Sequence, residues 1–204
     1  MFPQWILDLI RPVVGFFSRL LWKIELQGVE NVPESGGVII AANHQTYVDP
    51  FWISLAVKRP TRYLAWSVAF KWPLVGQLLS WFGAWPLQVE GSDPAAIRRS
   101  LQWLREGGAV VIFPEGARST SRGSMDHFKA GAVRLALEAN VPILPVTVRG
   151  GNHIWPKGWR FPHTGKVVII YHALYRVEQS PGEEARACAR RESQHLEKII
   201  GSAL

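Results

Sequence analysis

Residues 38–57 read VIIAANHQTYVDPFWISLAV. Val38 to Ala42 form a continuous apolar run that follows Gly36 and Gly37, the signature of a strand buried on both faces. Asp49 and Pro50 open a second apolar stretch whose spacing predicts a helix over 50–57, since proline is tolerated in a first helical turn. The polar residues between them are then a strand-to-helix turn. The same alternation recurs outward from this unit. Further strands are expected at 63–66, 84–87, 110–113, 143–148 and 167–171, and further helices at 68–82, 94–105 and 129–139, with Asp93 as an N-cap and Gly107 and Gly108 as a stop. A charged helical tail follows at 181–200. Strands alternating with helices indicate a single α/β domain, a mixed but mostly parallel sheet flanked by helices.

Composition narrows the partners. The chain has 204 residues, 48% of them hydrophobic and 19% charged, which supports a real core and excludes disorder. Lys and Arg exceed Asp and Glu by 23 − 16 = 7, so an anionic partner is expected. The single cysteine, Cys188, excludes an intramolecular disulfide framework and a cysteine-based zinc site, and it suits a reducing cytosol. Ten tryptophans at this low charge density favour an anionic membrane surface over a nucleic-acid groove. No dense basic stripe interleaved with aromatics is present, so no nucleic-acid partner is expected.

The first 24 residues, MFPQWILDLIRPVVGFFSRLLWKI, lack the early basic cluster and small-residue cleavage site of a signal peptide. Asp8, Arg11 and Arg19 interrupt what would have to be about 20 apolar residues in a spanning helix. Trp5, Ile6, Leu9, Ile10, Val13, Phe16, Phe17, Leu20 and Leu21 recur at helical spacing, which reads as an amphipathic helix lying in a membrane interface. The alternative is a helix packed on the domain core. The expected organisation is an interface helix at 1–24 and a catalytic domain at 25–204, with the aromatic stretch 66–86 as a second docking surface.

Two segments carry chemistry. In the first, Asn43, His44 and Asp49 follow a strand end, where active-site groups of α/β folds gather. Five residues correspond to about 500° of helix rotation, so His44 and Asp49 would not share a face of one regular helix, but they can meet if His44 sits on the strand-to-helix turn and Asp49 on the first helical turn. A carboxylate on one imidazole nitrogen would leave the other as a base. The bland alternative is a hydrogen-bonded histidine beside a capping aspartate. No Gly-x-Ser-x-Gly supplies a serine nucleophile, and no further ligand at a convincing spacing makes a metal site. The second segment is Phe113-Pro114-Glu115-Gly116-Ala117-Arg118-Ser119. Gly116 permits close backbone approach and Arg118 offers a planar fork for phosphate. Glu115 would hold that arginine or the loop. Lys129, opening a helix, adds a point charge, whereas Arg122 reads as a solvated turn residue. The stretch 140–146, NVPILPV, reads as a buried strand framed by prolines.

Together these segments resemble the lysophosphatidic acid (1-acylglycerol-3-phosphate) acyltransferase family and its glycerolipid acyltransferase relatives. The resemblance rests on Asn-His-x-x-x-x-Asp (43–49), Phe-Pro-Glu-Gly-x-Arg-Ser (113–119), Phe-Lys-x-Gly (128–131) and Val-Pro-Ile-x-Pro-Val (141–146), in order over about residues 25–175. It implies transfer of an acyl chain from an acyl thioester donor, acyl-CoA or acyl-carrier protein, to a lysophospholipid acceptor, with no bound cofactor and no metal. His44 would be the base and Asp49 its orienting partner. Asn43, Glu115, Gly116, Arg118, Ser119 and Lys129 would bind substrate. The implied location is the cytoplasmic face of the cell membrane, peripheral or monotopic. One departure stands out: Val89 falls where relatives often carry an arginine that binds glycerol phosphate. Another lysolipid acceptor, or a non-catalytic lipid-binding protein at the membrane surface, are the alternatives.

Overall fold

The computed structural model describes residues 1–89, 91, 93–119 and 125–204; Arg122 lies outside them. In chain order the elements are α1 (Gln4–Trp22), β1 (Glu25–Gln27), β2 (Val38–Ala42), α2 (Asp49–Ser54), β3 (Thr61–Trp66), α3 (Val75–Trp81), β4 (Ala84–Leu87), α4 (Pro94–Arg105), β5 (Ala109–Ile112), α5 (Gly131–Ala139), β6 (Ile143–Arg149), β7 (Val168–Tyr171) and α6 (Ala185–Gly201). The strands form one sheet in the order β1-β7-β6-β2-β5-β3-β4. From β6 to β4 all neighbours are parallel. β7 joins β6 antiparallel, and β1 pairs parallel with β7 at the edge.

Strand β2 lies between β5 and β6 and all five of its residues are buried. Its alternation divides the core. Val38, Ile40 and Ala42 face Trp52, Ile53, Val57 and Ile154, while Ile39 and Ala41 face Leu101, Leu104, Val133, Leu196 and Ile200 from α4, α5 and α6. Layers on both sides explain why this strand is apolar throughout rather than alternating.

Two expected helices shift, and one strand had no expectation. The helix expected over 68–82 is split into a 3-10 turn, Ser67–Lys71, and α3. Pro73 cannot continue the hydrogen-bond ladder, and Leu74 adopts a left-handed φ of 64°. The chain then folds back so tightly that a Cβ on Gly76 would lie 2.1 Å from the Phe70 carbonyl oxygen. The tail helix begins at Ala185 and buries Cys188, Ala189, Leu196 and Ile200 against the sheet. β1 has three residues, too few for a periodicity to register.

Helix α1 is amphipathic with its faces reversed. Its buried residues are Gly15 and Ser18, whereas Trp5, Leu9, Phe16 and Leu20 are each more than 60% exposed. Arg11 fastens it to the domain by donating to the Ser54 and Val57 carbonyls at 3.2 and 3.0 Å. At its end Trp22 packs edge-on against buried Trp52, with ring centroids 5.3 Å apart, so the helix is held by this contact and by Arg11 while most of its large apolar residues stay outside. Among the described residues, no helix is long and apolar enough to cross a membrane.

Ile40 is fully buried at the centre of this arrangement. Ile40→Ala should lower unfolding stability by about 2–5 kcal/mol with little change in the denaturant slope, measured by urea titration.

Candidate active site

The turn after β2 is organised by one buried carboxylate. Asp49, at the start of α2, is fully buried. Its Oδ2 accepts from the Gln45 and Thr46 amides at 2.6 and 2.8 Å, and its Oδ1 accepts from the Thr46 hydroxyl at 2.6 Å. His44 Nδ1 lies 2.9 Å from the same Oδ2. A carboxylate oxygen accepts, so this contact assigns the proton to Nδ1. The imidazole stacks on Phe113 with ring centroids 4.0 Å apart and planes at 21°, and its side chain is 18% exposed. His44 thus sits on the turn and Asp49 on the first helical turn, an arrangement that lets the two meet where a single regular helix would not.

The loop after β5 is stitched to this turn. Glu115 accepts from the His44 amide at 2.6 Å and from the Asp126 amide at 2.8 Å, and the Ser119 amide donates to the His44 carbonyl at 2.9 Å. Glu115 therefore holds the loop. Burial raises its carboxyl to about 7 against the pull of those two amides. Gly116 has φ 77°, and a Cβ there would lie 2.7 Å from Lys129 Nζ. The ammonium of Lys129 consequently rests on the glycine, and the Lys129 amide donates to the Pro114 carbonyl at 2.9 Å.

Arg118 completes a cationic corner. Its guanidinium carbon stands 3.4 Å above the centre of the Tyr47 ring. Burial lowers its pKa, with Tyr47 and Asp49 pulling the other way. Its Nη1 is buried and, among the described residues, has no hydrogen-bond partner. Such a donor is costly unless an acceptor arrives. Tyr47 in turn meets Trp155 edge-on, with centroids 5.4 Å apart.

His44, Asp49, Glu115, Gly116, Arg118, Ser119 and Lys129 are brought together. Asn43 stands apart. It is fully buried, donating to the Val148 carbonyl at 2.9 Å and accepting from the Val148 amide at 2.7 Å. Both polar ends of its amide are occupied, so it ties the end of β2 to β6 instead of facing a cleft. Val89 follows β4, and Arg99 lies over Trp85 with its guanidinium carbon 5.7 Å from the ring centre. Tyr47 and Phe113 went unnoticed as site residues, because an aromatic within a motif spacing signals nothing until its stacking partner is known. Among the described residues, no cluster of three His, Cys, Asp or Glu side chains could hold a metal ion.

The family model for acyltransferases matches residues 23–149. A 1-acyl-sn-glycerol-3-phosphate acyltransferase of Pseudomonas aeruginosa is 34% identical over 161 residues, covering 72% of this chain and 58% of that protein. The chloroplast 1-acyl-sn-glycerol-3-phosphate acyltransferase of Brassica napus is 30% identical over 161 residues, covering 76% of this chain and 46% of the relative. The chain spans about half the length of the curated relatives it matches. The fold is that of the 1-acyl-sn-glycerophosphate acyltransferase from Thermotoga maritima, with a TM-score of 0.77 at 24% identity over 97% of this chain and 78% of that one. Since the matched residues include both loops just described, the chain belongs to the acyltransferase family.

Proposed function

We propose that the protein moves a fatty acyl chain from an acyl thioester, acyl-CoA or acyl-carrier protein, to the free hydroxyl of a lysolipid. The acceptor that best suits the site is 1-acylglycerol-3-phosphate, with phosphatidic acid as product. The observation that carries this reading is the His44–Asp49 pair bonded through its own backbone to a loop whose buried Arg118 Nη1 has no hydrogen-bond partner among the described residues. An imidazole base on a turn tied to a loop that carries Arg118 is the pairing that a phosphate-bearing lipid alcohol requires.

In the reaction proposed, Asp49 holds the Nδ1–H tautomer and leaves Nε2 to accept the proton of the acceptor hydroxyl. The oxygen attacks the thioester carbonyl, the C–O bond forms, and the tetrahedral intermediate collapses with loss of the C–S bond. The imidazolium returns its proton to the leaving thiolate, so the histidine ends as it began. Arg118 and Lys129 hold the acceptor phosphate, with Tyr47 fixing the plane of the guanidinium. The family resemblance would put an arginine at the position of Val89. A lysolipid with a neutral headgroup is therefore the second acceptor to test.

The outward stripe of α1 supports docking on an anionic bilayer. Residues 1–24 would bind the cytoplasmic membrane face, peripherally or monotopically, while residues 25–204 carry the chemistry.

His44→Ala should fold as the parent does and lose about 10²–10⁴-fold in acyl transfer, read as product mass from a matrix of lysolipids against both thioester carriers. Parental turnover by that variant would refute the assignment. Arg118→Ala should raise KM for the phosphate-bearing acceptor by roughly ten- to a hundredfold, while KM for a lysolipid without phosphate changes little.

Glu115 supplies a pH prediction. Its folded pKa of about 7 lies above the ordinary 4.5, so the native state holds the extra proton. Its contribution to stability is complete below pH 4.5 and is lost as pH rises through 7. Across that window the parent should lose up to about 1.4 kcal/mol per pH unit relative to Glu115→Gln, measured by denaturant titration.

A further inference from the structure

The connection from β6 to β7 takes no part in that scheme. Residues 154–166 read IWPKGWRFPHTGK, and they form an ordered tongue. Its neck closes where the His163 amide donates to the carbonyl of buried Ile154 at 2.8 Å. Within it the Trp159 amide donates to the Pro156 carbonyl at 3.2 Å, Trp155 Nε1 donates to the Trp159 carbonyl at 3.0 Å, and the Trp159 and His163 rings stand 4.3 Å apart. Despite this order its largest apolar side chains point outward: Trp159 is 46% exposed and Phe161 67%. A tongue folded for its own stability would bury them.

Charge and position name the occupant. No Asp or Glu occurs between Glu138 and Glu178. Lys157 and Arg160 on the tongue have no ion-pair partner among the described residues, whereas Lys166 at its base pairs with Glu25 at 3.0 Å. The tongue is fastened to the end of α1, where Trp22 Nε1 donates to the His163 carbonyl at 2.9 Å and the Val167 amide to the Trp22 carbonyl at 3.1 Å. On its other side Trp155 packs against Tyr47. Exposed aromatics flanked by cations that lack a carboxylate partner among the described residues, Arg160 lying 5.4 Å from the centre of the Phe161 ring, match the boundary of an anionic bilayer.

We infer that residues 155–163 are a second bilayer contact, separate from α1. Trp159 and Phe161 enter the headgroup–acyl boundary, and Lys157 and Arg160 meet anionic headgroups. The contact pins the membrane at the site end of α1, beside Tyr47, so the protein rests on two points instead of one. The inference rests on the reading that the protein works at a membrane, but vesicle binding needs no turnover. Failure of the parent to acylate any lysolipid would sink the enzyme reading and leave this test intact.

The experiment uses the full chain with vesicles of phosphatidylcholine, alone or mixed with phosphatidylglycerol, and reads the bound fraction by co-sedimentation. Trp159→Ala/Phe161→Ala should weaken partitioning about tenfold or more on both vesicle types. Lys157→Gln/Arg160→Gln should weaken it on the anionic vesicles alone, with the difference fading at high salt. A nitroxide placed through Phe161→Cys should become shielded from a water-soluble relaxation agent on binding. Parental partitioning by both double variants, or a label that stays accessible on bound protein, would overturn the inference. So would loss of acyl-carrier protein binding with vesicle binding intact, which would make the tongue a protein interface.

Discussion

The buried carboxylate of Asp49 is the constraint from which the site is built. A carboxylate removed from water costs several kcal/mol unless its oxygens are filled. Here two turn amides, one hydroxyl and one imidazole fill them. Satisfying the charge forces residues 44–46 to curl around the start of α2. The orientation of His44 thus comes with the solution to a burial problem. The ring is held on one side by the carboxylate and across its face by Phe113.

Placement of the second loop follows from the sheet. β2 and β5 are parallel neighbours, paired from Val38 with Ala109 to Ala41 with Ile112, so their carboxyl ends release two loops side by side. Glu115 and the Ser119 amide then join the loops at the backbone of His44. Arg118 is held by an aromatic face, which restrains the guanidinium plane without consuming its donors.

The outer surface obeys a different requirement. The fully buried residues of α1 are small, Gly15 and Ser18, and most of its large apolar ones face away, with Trp22 packed on Trp52 as the exception. Arg11 adds a polar attachment to the Trp22–Trp52 contact, through the carbonyls of Ser54 and Val57 at and just after the end of α2. The tongue after β6 repeats the pattern, ordered by hydrogen bonds and exposed in its aromatics.

Much of this was legible in the chain alone. Continuous apolar runs such as Val38–Ala42 identify strands covered on both sides, because a half-exposed strand would alternate. The five-residue spacing of His44 and Asp49 points away from a single regular helix, and the proline after Asp49 marks where the helix begins. Tertiary structure decided what depends on distant residues meeting. Asn43 became a tie to Val148, 105 positions away, instead of a substrate contact. Glu115 turned to backbone amides and not to Arg118, and Tyr47 acquired a role through stacking. α1 showed which way its stripe faces, since periodicity defines an apolar face but carries no information on whether protein or bilayer covers it. Local spacing encodes local geometry; a side chain's partner is set by the sheet order that brings remote loops together.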